Sequence, residues 1–126
     1  MLDDTFLAGL YSALSKAWSA QTAYKGDWSP QTPTRNQCAV TALVVQTHLG
    51  GVLVRARYTT PTGESGTHYW NRVGEEEVDF TREQFPIGST LEVLSNAVEP
   101  QTLLTNADTA ARFALLKARA QTLLSQ

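Results

Sequence analysis

The sequence is short of the residues that build covalent or metal-bound frameworks. It holds one cysteine, Cys38, and two histidines, His48 and His68. A single thiol excludes an internal disulfide and any zinc site built on several cysteines. With so few histidines, neither a metal centre nor another cofactor is expected. Charge of one sign is scarce as well. Ten Lys and Arg stand against twelve Asp and Glu, a net charge of −2 with no long run of either sign. That balance excludes the basic footprint expected of a nucleic-acid binder or of a protein held to an anionic membrane. No apolar run approaches the ~20 residues that a membrane span needs. The first residues, MLDDTFLAGLYSALSK, open acidic and lack a basic stretch, so no secretory signal is expected. The default compartment is then a reducing cytoplasm.

What is present suits an ordinary globular domain. Of 126 residues, 42% are apolar and 17% charged, enough for one domain over residues 1–126 with a single modest core. From about Asp4 to Ala20, Leu7, Leu10, Tyr11, Leu14 and Trp18 recur at helical steps, and Asp3 or Asp4 can cap the helix. The stretch YKGDWSPQTPTRNQ, with its glycine and two prolines, reads as loop. Then comes QCAVTALVVQTHLGG. Four β-branched residues, Val40, Thr41, Val44 and Val45, fit a strand, but the length and the Gly50-Gly51 stop favour a buried helix with Asn36 as its N-cap.

VLVRARYTT alternates as a strand does, and THYWNRV and EEVDFT form two more strands around a Gly74-Glu75 turn. Thr81 to Gln84 has the spacing of a capping box. Pro86 to Asn106 is weakly patterned and reads as loop with short turns, and DTAARFALLKARAQTLLSQ as a final helix. The expected fold is α+β: an N-terminal helix, a buried Cys-bearing helix on an antiparallel sheet of about three strands, and a C-terminal helix.

A lone cysteine beside Ala and Val is usually a small core hydrophobe. Two features set Cys38 apart. It falls in the first turn of its helix, where the dipole and free N–H groups favour a thiolate and can hold an oxyanion. It also shares a helical stripe with Ala42, Val45 and Leu49, which must pack on the sheet, so the thiol is expected to point toward the sheet and away from solvent. The hairpin supplies partners. With a two-residue turn, Val73 faces Glu76, Tyr69 faces Phe80, Trp70 faces Asp79 and His68 faces Thr81. His68 and Asp79 become diagonal neighbours on one face, the relation of a general base to its orienting carboxylate.

Gln37-Cys38, then His68-Tyr69-Trp70-Asn71, then Asp79-Phe80-Thr81 resembles the transglutaminase-like branch of the papain-like cysteine enzymes over residues 34 to 85. In those enzymes a Cys at a helix start is followed by a His and an Asp on successive strands. The wider pattern of QCAVTALVVQ, HYWN and DFTREQF is similar to the YunG-like family of small bacterial proteins, a likeness that speaks to fold and not to substrate. The resemblance implies a papain-like core with Cys38 as nucleophile, His68 as base and Asp79 as orienter. The reaction implied is acyl transfer at a peptide or small-molecule amide, or at a thioester. The backbone N–H of Cys38 is one oxyanion donor; Gln37, Asn36 and the Trp28 indole are candidates for a second, and Trp70 is a candidate substrate contact. The rival reading is a non-catalytic binding module or partner subunit that keeps the fold. Of the remaining residues, His48 reads as a cap on the Cys helix, and Glu75, Glu76 and Glu77 read as a solvated turn.

Overall fold

The computed structural model describes residues 2–126. Helix α1 spans Asp4–Ala17, with the Asp3 carboxylate accepting from the Thr5 and Phe6 amides. It stops short of the expected Ala20 because Trp18 turns extended. The Trp18 indole N–H instead donates to Thr41 Oγ1 at 2.9 Å, which ties the end of α1 to the next helix.

Helix α2 spans Cys38–Leu49 and buries Val40, Thr41, Ala42, Leu43, Val44 and Val45. Its β-branched residues do not divert it to strand, since burial on nearly every side outweighs their modest helix penalty. The N-cap is Gln37, one residue later than expected, and no side chain caps the helix. Asn36 sits at φ +59 with its amide donating to Asp27 O at 2.8 Å, so its side chain serves the preceding loop. After α2, Gly51 lies at φ +77, and a Cβ there would stand 2.3 Å from the Arg72 carbonyl oxygen. Only glycine permits that approach.

Four strands follow: β1 (Val52–Thr59), β2 (Ser65–Val73), β3 (Glu76–Val78) and β4 (Thr90–Val98). They form one antiparallel sheet in the order β3-β2-β1-β4. The fourth strand and a short helix α3 (Pro100–Leu104) occupy the segment expected to be loop, which corrects the three-strand expectation. The β2–β3 turn has the expected register, with Val73 opposite Glu76 and Asn71 opposite Val78. Gly74 takes φ +63, as the turn requires. Strand β3 is shorter than expected: the ladder ends at Val78, so Asp79, Phe80 and Thr81 lie beyond it. Thr81 leads a short 3₁₀ turn without the capping-box hydrogen bond; Gln84 donates to the Thr81 carbonyl instead. Helix α4 (Ala107–Leu124) closes the chain, capped by Asn106.

The main core lies among α1, α2 and α4, where Leu10, Leu14, Val40, Val44, Leu116 and Ala120 are fully buried. A second cluster joins Leu43 of α2 to Leu53 and Val98 of the sheet. Asn71 is buried beside it and donates to the Ala42 carbonyl at 2.8 Å, pinning β2 to α2. On the opposite sheet face Val54, Ala56 and Trp70 pack together. Leu14→Ala removes a fully enclosed side chain and should cost about 3 kcal/mol in urea unfolding. Cys38→Ala empties only a small, half-buried position and should cost about 1 kcal/mol or less. A Cys38→Ala loss as large as that of Leu14→Ala would make the thiol a core element.

Candidate active site

Cys38 is the first residue of α2, and Thr41 N is the first amide to close a helical turn, onto Gln37 O. The uncapped N-terminal N–H groups of α2 are therefore presented beside the thiol. Cys38 is half-buried, not withdrawn from solvent as the stripe argument predicts, with Sγ 4.0 Å from the Thr67 carbonyl of β2. The short β3 explains the access. It covers β2 only from Asn71 onward, so the edge of β2 around Thr67 and His68 has no strand across it.

His68 Nε2 lies 2.7 Å from Asp79 Oδ2, with the imidazole fully buried and the carboxylate 11% exposed. Trp70 stacks along the ring at 5.5 Å, and Phe85 meets it edge-on at 4.8 Å. The other nitrogen, Nδ1, is buried without a hydrogen-bond partner among the described residues. Burial opposes charge on this ring. The Asp79 hydrogen bond and the neighbouring Cys38 thiol outweigh it, and the pKa of His68 rises to about 9. Protonation of the ring is thus favoured by the carboxylate bonded to it.

Asp79 is itself held firmly. Its Oδ1 accepts from the Thr81 amide at 3.1 Å, and its Oδ2 accepts from Arg82 Nε at 2.9 Å. Burial tends to raise its pKa, but His68 and Arg82 hold the carboxyl below the usual range. Arg82 also lies 5.0 Å over the Trp70 ring, so one side chain braces both partners of the imidazole.

The expected second oxyanion donors fare differently. Gln37 is fully buried; its amide donates to Ser19 O at 3.0 Å and its carbonyl accepts from Thr22 Oγ1 at 2.8 Å. It fastens the start of α2 to the loop after α1 and does not face the thiol's cavity. The Trp28 indole is occupied by the Pro33 carbonyl at 2.9 Å. Trp70 donates to Glu77 Oε1 and is 4% exposed, so it supports His68 and is no substrate platform. Asn36 alone of these four lines the cavity with Cys38.

That cavity measures about 470 Å³ and lies between the start of α2, the β1–β2 hairpin and the α3–α4 junction. Gly66 forms part of its wall. A Cβ there would meet the Tyr58 ring at 2.6 Å, so the glycine lets Tyr58 lie across the hairpin. Of the expected site residues only Cys38 and Asn36 line it; Gln84 and Arg112 are among the additions. Gln84, whose carbonyl accepts from the Asn36 amide at 3.2 Å, links the turn after Asp79 to the loop before Cys38. Arg112 reaches in from α4. No group of three His, Cys, Asp or Glu side chains suited to a metal ion occurs among the described residues.

Fold and site together define a small α+β domain with a half-buried thiol at a helix start and a buried imidazole–carboxylate pair on the neighbouring strand and turn. The chain belongs to the YunG family: the family model described as YunG protein matches residues 6–125. A Bacillus subtilis (strain 168) relative, described as uncharacterized protein YunG, is 32% identical over 93 residues, covering 74% of this chain and 75% of its own. No solved structure matches. Among the described residues, no helix is long and apolar enough to cross a membrane.

Proposed function

We propose that this protein is a cysteine acyl-transfer enzyme of papain-like, transglutaminase-like arrangement, acting on an amide or thioester through Cys38, His68 and Asp79. The observation that carries the reading is the imidazole of His68, which is buried, bonded to Asp79 at 2.7 Å on one nitrogen and next to a half-open thiol. A core residue has no need of that order of groups.

In the proposed reaction the Cys38 thiolate adds to the carbonyl carbon, forming a C–S bond and an oxyanion. The Cys38 backbone N–H donates to that oxyanion. The oxyanion collapses, the C–N or C–S bond to the leaving group breaks, and the imidazolium of His68 gives that group its proton. Water or an amine then attacks the acyl-enzyme, His68 takes the proton of the attacking group, and the thiolate leaves. Asp79 keeps the ring oriented and stabilises its charge throughout. A reducing, cytoplasmic setting suits a site whose nucleophile is a free thiol.

Iodoacetamide provides the first test. Cys38 should be modified at pH 7 much faster than an ordinary thiol, which reacts appreciably only toward its usual pKa of ~8.5. Acyl-donor activity probes should then label the wild type and not Cys38→Ala. An ordinary pH–rate profile, together with no acyl labelling, would leave a binding module that keeps the fold.

A further inference from the structure

We propose that Arg112 recognises a carboxylate on the substrate of the Cys38 site; this rests on the acyl-transfer reading and adds a substrate class to it. Arg112 is 8% exposed and forms part of the wall of the cavity that Cys38 opens into. Among the described residues it is the only charged one lining that cavity, and no Asp or Glu lines it. The other polar walls are neutral amides, hydroxyls and phenols, among them Asn36, Gln84, Asn106 and Thr109.

The guanidinium lies 5.7 Å over the Tyr24 ring, and its hydrogen bonds satisfy it only in part. Nε donates to Asp108 Oδ2 at 2.9 Å, one terminal nitrogen to Thr109 Oγ1 at 3.2 Å and the other to Thr22 O at a long 3.4 Å. Five N–H groups are available on an arginine, so two remain after these three bonds. Asp108 is 68% exposed, so water screens its charge while that of Arg112 is buried. A role only in anchoring α4 would be served by the Thr22 and Asp108 contacts. It would not account for a buried cation on the wall of a cavity free of acidic groups. A fork of N–H donors in such a place matches a carboxylate. The start of α2, which carries the thiol, also lines this cavity and favours negative charge. The preferred acyl donor is thus an amide or thioester that also carries a carboxylate.

The test uses two electrophiles of equal length, N-iodoacetyl-β-alanine and its carboxamide, with Cys38 modification followed by mass spectrometry. The acid-to-amide rate ratio at Cys38 should exceed that of the uncharged model thiol N-acetylcysteinamide by about tenfold. With each rate taken relative to that variant's own iodoacetamide rate, Arg112→Gln should bring the ratio near that of the model thiol, and Arg112→Lys should fall between. A preference retained in Arg112→Gln would assign it to the His68 imidazolium and overturn the proposal. If Arg112→Gln does not fold, protection of the wild type decides. N-acetyl-β-alanine should slow iodoacetamide modification of Cys38 and N-acetyl-β-alaninamide should not; equal effects of the two would overturn the proposal. A normal iodoacetamide rate would instead count against thiol activation, whatever the ratio.

Discussion

Asp79→Asn should slow iodoacetamide modification of Cys38 at pH 7 by about tenfold or more, with the fold intact by circular dichroism. Asparagine keeps the shape and an acceptor oxygen for the Thr81 amide, so the turn after β3 persists, but it places an NH2 group where Oδ2 accepts from Arg82 and meets His68. What it loses is the charge. Burial acts against protonated His68, and the Asp79 bond comes first among the influences that raise its pKa to about 9. Without that carboxylate the buried ring loses its proton more readily, and a neutral imidazole supplies no positive charge to assist the thiol in the proposed reaction. Superimposable pH–rate profiles in the two proteins would mean that thiol and carboxylate are uncoupled, and the acyl-transfer reading would fall with them.

The second large effect is on stability, and its sign follows from the same proton. His68 is raised from 6.5 to about 9. Its contribution to stability is fully present below pH 6.5 and is lost as pH climbs through about 9. Asp79→Asn should therefore cost about 3 kcal/mol at pH 7, where a buried cation is left without its counter-ion or must give up its proton. The deficit should narrow by pH 10, where the ring is neutral in both proteins. Urea unfolding of the pair at the two pH values measures this. Ring-resonance NMR follows the cause directly: the wild-type His68 should titrate near pH 9, and in Asp79→Asn well below it. A deficit that is the same at both pH values would reduce Asp79 to a turn residue.

Much of this arrangement is legible in the sequence because it depends on parity and length. Gly74-Glu75 fixes the hairpin register, and that register brings Asp79 to His68 although the ladder ends one residue before the aspartate. The cysteine helix is legible from its length and its Gly-Gly stop, in spite of four β-branched residues. Strand β4 is not. Most of its side chains are exposed, with only Val98 buried, so it shows no two-residue alternation. It forms because β1 offers an open edge, and its pairing slips register between Leu53 and Arg55 and again between Arg55 and Ala56. Tertiary pairing of that kind leaves little local signal. The same applies to Gln37 and Trp28, which have the right chemistry for an oxyanion donor but spend their N–H groups on Ser19 and Pro33. Arg112 carries no sequence mark of burial, since its partners at Thr22 and in the cavity wall come from distant parts of the chain.

The tight β2–β3 turn has a consequence for the order in which the native state is reached. His68 and Asp79 are eleven residues apart and meet as soon as their hairpin closes, a contact of low loop-closure cost. Cys38 lies twenty-nine residues from Thr67, and its helix docks on β2 through Asn71 and Ala42, also twenty-nine residues apart. Contacts of that separation form later in folding than those of a hairpin. The imidazole and carboxylate are therefore expected to pair before the sulfur arrives, so that a partly folded chain would carry an unassisted thiol. Enhanced labelling of Cys38 during refolding would then mark the docking of helix on sheet, a clock for the last long-range step and not for the formation of secondary structure.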